Sequence, residues 1–219
     1  MGLTGNQGGQ PNIMFLSIDG VDGVGKSTQI ELLCDWLRET GQTVVACRDP
    51  GSTKLGEVLR QIVLNDHETP IHRGSEMLLY MAARAQLVSE VIRPALAAGQ
   101  AVVCDRFLLA NVVYQGHAGG LDVEQLWTVG EVATGGLHPD LTIVLDMDVA
   151  AAQQRMRREL DRMESQGAAY LERVRAGFLT EAQAHHERIV VVQANHDRDA
   201  VQREIRTAIE PLLGHEVRP

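Results

Sequence analysis

The stretch Ile13 to Thr28, "IMFLSIDGVDGVGKST", decides how the rest of the chain is read. Ile13 to Ile18 is a short apolar run of strand length. Three glycines then fall in six positions, directly before Lys26, Ser27 and Thr28. One reading is a glycine-rich turn between a strand and a helix. The other is a cradle for polyphosphate. Gly20 to Ser27, "GVDGVGKS", fits GxxxxGK[ST]. Glycines let such a loop wrap until its backbone N–H groups converge on phosphate oxygens. The candidate cradle is Gly20, Val21, Asp22, Gly23, Val24, Gly25, Lys26, Ser27 and Thr28. Lys26 would reach the β- and γ-phosphates of a bound nucleotide, and the Ser27 hydroxyl would hold Mg²⁺. A helix beginning there aims its positive end at the same anion.

The context favours the cradle. Ile30, Leu33, Cys34 and Leu37 recur at i, i+3, i+4 and i+7, which is one helix face, and Gly41 suits its end. Further apolar runs of strand length follow at Thr43–Cys47, Ala101–Cys104, Leu141–Leu145 and Ile189–Val192. Helical patterns separate them: Lys54–Leu64, Glu76–Ala98 with a kink expected at Pro94, and segments near 122–134, 148–185 and 198–213. Short, continuously apolar strands alternating with helices predict an α/β protein, a five-stranded parallel sheet with helices on both faces. No linker or repeat divides the pattern. The expectation is one domain over 13–219, after a loose Gly-, Gln- and Asn-rich tail at 1–12.

Composition narrows the partners. The 219 residues are 44% apolar and 22% charged, as in soluble globular proteins. With 29 acidic against 20 basic residues the net charge is −9. That argues against a broad nucleic-acid footprint but leaves room for a local pocket for a small anion. No apolar run is long enough to span a membrane. Cys34, Cys47 and Cys104 lack metal or disulfide spacing, so reduced, buried thiols in a cytoplasmic protein are expected. The eight scattered histidines give no ligand pattern.

A phosphate cradle names a nucleotide, not a reaction. "AVVCD" adds an apolar strand ending in Asp105, where a carboxylate would help hold magnesium beside the loop. Arg106 follows it and would bridge two phosphate groups. "YMAAR" places Tyr80 and Arg84 four apart on one helix face. The segment 153–166, "QQRMRRELDRMESQ", is densely charged with little apolar periodicity. It reads either as a solvated helix or as an arm carrying arginines to a ligand.

Taken in order, "IDGVDGVGKST", "RDPGSTKLGEVLR", "LLYMAARAQL", "VVCDRF" with "YQG", "PDLTIVLD" and "ELDRME" resemble the thymidylate (dTMP) kinase family, from about Ile13 to Leu213. The resemblance implies a P-loop three-layer sandwich, transfer of the ATP γ-phosphate to dTMP, Mg²⁺ dependence and a homodimer. It implies that Lys26 serves the ATP phosphates and that Arg106 contacts the acceptor phosphate and the transferring group. Arg60 matches another acceptor-phosphate arginine. Tyr80 matches a stacking platform for thymine, and Arg84 a donor to its carbonyl. Asn111 and Tyr114 match positions at the base and deoxyribose, with Gln115 beside them; a ring at Tyr114 would crowd a ribose 2′-OH. Asp22 and Asp49 match acidic positions near the sugar and the phosphoryl path.

One branch of the family carries an arginine in the loop where this chain has Gly23. The compensating arginines would then come from a lid at 153–166. Arg155, Arg157, Arg158 and Arg162 are the candidates, acting as an arginine finger in cis. The chain departs from the family at Asp49 (usually Glu), Ser52 (usually Gly) and Ala110 (commonly Ser), and its lid is slightly short. Two alternatives remain open on the sequence. One is a kinase of the same fold for another (deoxy)nucleoside monophosphate, which the acceptor's base would reveal. The other is a P-loop ATP-binding switch with no acceptor, which would show ATPase activity indifferent to dTMP.

Overall fold

The computed structural model describes residues 13–65, 70–156, 162 and 166–213. The expected tail at 1–12 lies outside the described residues, as do 157–161 and 163–165 of the expected lid, with Arg157 and Arg158.

Five strands form one parallel sheet: β1 (Phe15–Asp19), β2 (Val44–Arg48), β3 (Ala101–Asp105), β4 (Leu141–Asp146) and β5 (Ile189–Gln193), in the order β2-β3-β1-β4-β5. The strand period of two splits their side chains between two cores. Met14, Leu16, Ile18, Ala101 and Val103 face one side, against α1 (Lys26–Glu39), α8 (Ala168–Ala184) and α9 (Arg198–Leu213). Phe15, Val102 and Cys104 face the other, with Met81 and Leu87 of α3 (Arg73–Leu87) and Leu126 of α6 (Val123–Thr134). Burial on both faces is why the central strands β1, β3 and β4 read as unbroken apolar runs rather than alternating ones. Cys34, Cys47 and Cys104 are free and buried.

Helix α2 (Lys54–Leu64) keeps the bounds its pattern predicts, because Thr53 caps it: the Thr53 hydroxyl accepts from the Gly56 N–H at 2.8 Å. The long helix differs from expectation. It begins at Arg73, where the His72 ring accepts from Gly74 N at 3.2 Å, and it stays helical through Pro94. A π turn over Val88–Ile92 precedes α4 (Arg93–Ala97), and Pro94 sits in the first turn of α4, where its missing N–H is tolerated. A second π turn, Val112–His117, continues α5 (Leu108–Asn111) and carries Tyr114 and Gln115. The expected helix at 148–185 is observed as α7 (Val149–Arg155) and α8.

Candidate active site

The sheet delivers the site at the carboxyl ends of its central strands, where parallel α/β folds bind ligands. β1 runs into the glycine loop, and β3, its neighbour, ends at Asp105 with Ile18 opposite Asp105 in register. Arg106 N donates to Ile18 O at 3.0 Å, so the arginine is anchored to the strand that launches the loop. Arg106 holds φ 65, a left-handed conformation uncommon for a side-chain-bearing residue.

The loop is built to meet an anion. Gly25, at φ 99, caps α1 without any side-chain hydrogen bond, and no acidic residue sits in the first turn. The leading N–H groups are therefore left for a ligand. Lys26 Nζ folds back over the loop, donating to Gly20 O at 3.0 Å and Val21 O at 2.8 Å. Gly23, at φ 87, has no room for a side chain: a Cβ there would lie 2.2 Å from Ala152 O in α7. The loop arginine of one family branch cannot be accommodated against that backbone.

Asp22 sits between two cations, with Oδ1 2.5 Å from Arg106 Nη2 and 3.2 Å from Lys26 Nζ. Burial alone would push its carboxyl up, but Arg106 and Lys26 together hold it far below the usual carboxylate range. Burial followed by the nearby Arg106 charge lowers the Lys26 ammonium, against the pull of Asp22. Burial also opposes the Arg106 charge, and Asp22 more than offsets it. Asp19, unassigned by the sequence, is fully buried at the end of β1. Its carboxyl is pushed up to about 6 by burial, while the Ser17 hydroxyl bond at 2.6 Å and the charge of Arg106 work the other way.

Two clefts open on either side of Asp22 and Arg106. The first, about 660 Å³, is lined by Asp22, Gly23 and Gly25 to Thr28 of the loop, by Asp105 and by Arg155. It continues past Gly23, Gly25 and Thr28 into a hollow bounded by Ala194, His196, Asp197 and Arg198, on the connection from β5 to α9. The sequence reading missed these residues; the polar turn "QANHDRD" after the last apolar run was the one available signal. Asp105 Oδ1 is buried without a hydrogen-bond partner and lines the same cleft as Ser27. A hydroxyl and an unsatisfied carboxylate together suit a hard, oxygen-seeking cation such as Mg²⁺.

The second cleft is lined by Asp22, Asp49, Arg60, Tyr80, Arg84, Arg106, Asn111, Tyr114 and Gln115, so all nine expected acceptor residues come together. Its free volume is about 50 Å³. Arg84 is not a surface charge: it is 2% exposed, with Nε donating to Asp49 Oδ2 at 2.6 Å and Nη1 to Asn111 Oδ1 at 3.1 Å. Asp49 therefore serves first as the partner of Arg84. Burial nonetheless pushes its carboxyl up, with Arg84 opposing. Arg60 Nη1 donates to Pro50 O at 3.0 Å, following the cis Asp49–Pro50 peptide. The Tyr114 ring packs edge-on to Phe178 at 6.2 Å, under the Arg106 guanidinium at 5.8 Å. Tyr170, also unassigned by the sequence, donates its hydroxyl to Tyr114 O at 2.8 Å.

The family model for thymidylate kinase matches residues 18–205. The chain belongs to the thymidylate kinase family. A thymidylate kinase of Rhodopirellula baltica is 46% identical over 83% of this chain and 74% of its own length. One of Symbiobacterium thermophilum is 46% identical over 91% of this chain and 94% of its own. The solved thymidylate kinase of Ehrlichia chaffeensis superposes with a TM-score of 0.73 at 28% identity, covering 90% of this chain and 98% of that one. The P-loop kinase fold and the phosphotransferase activity expected from the sequence are those of the family.

The lid arginines are placed unequally. Arg155, at the end of α7, lines the loop cleft and donates to Ala194 O at 3.2 Å. Arg162, expected at the ATP phosphates, lies elsewhere. Its guanidinium pairs with Glu76 of α3 and donates from Nε to Val63 O at 2.9 Å, while its backbone N–H reaches Leu64 O at 3.2 Å. It joins the expected lid segment to α2 and α3, whose residues Arg60, Tyr80 and Arg84 line the second cleft. A buried carboxylate attracts it more strongly than open solvent does. Arg158 lies outside the described residues.

Proposed function

We propose that the chain transfers the γ-phosphate of Mg²⁺-bound ATP to the phosphate of dTMP, yielding dTDP and ADP. The observation carrying this reading is that Asp22, Asp49, Arg60 and Arg106 line both clefts. Donor and acceptor phosphates seated on either side would meet over one shared set of charges. Phosphoryl transfer asks a protein mainly to align two anions and to neutralise the charge that develops between them.

Lys26 and the first N–H groups of α1 would bind the donor phosphates, with Val21 and Val24 holding the loop in the core. The β5–α9 hollow would take the donor's nucleoside. Ser27 and Asp105 would hold Mg²⁺, which supplies charge neutralisation across the phosphates. Arg106 and Arg60 would grip the acceptor phosphate, and Asp22 keeps Lys26 and Arg106 from repelling one another in the meantime. Tyr80, Arg84, Asn111 and Gln115 would receive the base, and Tyr114 the deoxyribose. Arg155 and Arg158 would close over the transferring group from the lid.

The test is ADP release from ATP–Mg²⁺ with dTMP, dUMP, UMP, CMP, GMP and AMP offered separately. Turnover chiefly with dTMP supports the base-site roles; preference for another monophosphate removes the roles given to Tyr80 and Asn111. Omitting Mg²⁺ should abolish turnover.

Homodimerisation is proposed on the resemblance and on exposed apolar side chains. Leu55 and Val58 on α2, Leu78 on α3 and Val132 on α6 are 45–81% exposed, on helices that pack on one another in turn. Light scattering of wild type against Val58→Glu tests it: a dimer that dissociates is expected, and a wild-type monomer contradicts it. A cytoplasmic location is proposed from the free, buried thiols. Among the described residues no helix is long and apolar enough to cross a membrane.

A further inference from the structure

Toward the end of the sheet where β4 and β5 begin lies a separate cavity of about 250 Å³. Thr142 and Ile189, partners in register near the starts of those strands, line it. It shares no lining residue with the two clefts or with the hollow after β5. Its apolar walls are Phe107, Leu108, Leu109, Trp127 and Ile189, supplied by the connection after β3, by α5, by α6 and by β5. Concave apolar spaces with a few polar groups at the mouth are where proteins take up small molecules.

Aromatic rings and one fixed cation define what fits. Phe107 meets the Phe15 ring edge-on with centroids 4.9 Å apart, and Trp127 meets the His185 ring edge-on at 5.6 Å. Phe107, Trp127 and His185 all line the cavity, so a flat ring among them finds the partners that aromatic rings prefer. Trp127 is held in place because its indole N–H donates to the buried Glu181 carboxylate at 3.2 Å. Of the other charged groups lining the cavity, Glu131 is already met by His138 Nε2 at 2.7 Å, and His185 Nε2 lies 3.5 Å from Glu181 Oε2. Arg188 meets Glu187 through Nε at 3.4 Å, and its two terminal amino groups make no hydrogen bond among the described residues. An exposed ion pair of that length contributes little, so a ligand displaces it at small cost. A guanidinium fork matches a carboxylate through two parallel hydrogen bonds.

We propose that this cavity is a second small-molecule site, which takes a planar aromatic carboxylate of one or two fused rings. The ring lies among Phe107, Trp127 and His185, and the carboxylate meets the Arg188 guanidinium. The cation decides the charge of the ligand, because Glu131 is occupied by His138 while Arg188 is always protonated. The volume lies just under the range usual for small-molecule pockets, about 300–1,000 Å³, which suits one or two rings. The inference does not rest on the reaction proposed above.

The test uses 2-naphthoate as probe and 2-naphthalenemethanol, its neutral counterpart, as control, with binding measured by calorimetry and by NMR. The chain has two tryptophans, so in Trp36→Phe the single indole N–H resonance belongs to Trp127. Naphthoate should bind one-to-one and shift that resonance, with or without saturating ATP–Mg²⁺ or dTMP. The alcohol should bind about tenfold more weakly or worse. Arg188 is 48% exposed, so Arg188→Ala leaves the core intact and phosphoryl transfer unchanged. That variant should lose about tenfold or more in naphthoate affinity and nothing in affinity for the alcohol. No saturable binding of naphthoate up to about 1 mM overturns the inference. So does equal binding of acid and alcohol, or a naphthoate affinity indifferent to Arg188. Displacement of the probe by ATP–Mg²⁺ or dTMP, with the Trp127 resonance unmoved, places the binding in the substrate clefts and overturns it too.

Discussion

Asp22 Oδ1 lies 2.5 Å from the Arg106 guanidinium, joining the phosphate loop after β1 to the residue that ends β3. The same oxygen lies 3.2 Å from Lys26 Nζ, so one carboxylate separates two cations that would otherwise repel. Asp22→Asn leaves the shape and removes the charge. kcat should fall about a hundredfold as Lys26 and Arg106 shift from line. Because Asp22 titrates far below an ordinary carboxyl, its contribution to stability is present above the unfolded value near pH 4 and is lost as pH falls below it. Urea titrations should show the gap between wild type and variant constant above about pH 5 and narrowing below about pH 4. A gap independent of pH down to pH 3 would count against the pairing.

Asp19 should behave with the opposite sign. Its folded value is raised from 3.8 to about 6, so ionising it costs stability as pH climbs through that interval. Asp19→Asn should therefore stabilise the nucleotide- and magnesium-free protein at pH 7.5, by about 2–3 kcal/mol. The gain should shrink below pH 6 and vanish near pH 4. A variant equally unstable at every pH would show that burial does not dominate this carboxyl.

The Arg84–Asp49 pair is almost wholly buried, with side chains 2% and 0% exposed. Removing one partner strands the other charge. Arg84→Met should cost about 3–5 kcal/mol in chemical denaturation, and adding Asp49→Asn should recover a substantial part. A single-variant cost under about 1 kcal/mol would mean that the pair is not holding this part of the site together.

Ser52, where the family usually has Gly, holds φ 61. Its hydroxyl accepts from Arg48 N at 2.9 Å, which offsets part of the left-handed strain. The strain, about 1–2 kcal/mol, exceeds one exposed hydrogen bond. Ser52→Gly should then raise the melting temperature slightly, a gain of up to about 1 kcal/mol. A clear loss would show that the hydroxyl bond matters more than the backbone.

Much of this architecture can be read from residues before any coordinates. The three central strands are legible because both faces of each are covered, and α2 because Thr53 caps it. The glycine loop is legible because its spacing is local: glycines, lysine and hydroxyl fall within a few residues. The burial of Arg84 is not, since its partner Asp49 stands 35 positions away and only folding brings them together. The same holds for Arg162. Its charged neighbourhood suggests a phosphate-facing arm, yet the partner that captures it, Glu76, belongs to a different helix. The hollow after β5 escaped because its residues carry no repeating pattern, only polar turn chemistry.

The most direct test follows the phosphorus atom. The protein is incubated with γ-labelled ATP, Mg²⁺ and dTMP, and the products are separated as dTDP and inorganic phosphate. Transfer across the Asp22–Arg106 seam predicts label in dTDP, with little free phosphate and none gained when dTMP is added. Label released as inorganic phosphate at the same rate with or without dTMP, and absent from dTDP, would contradict the account.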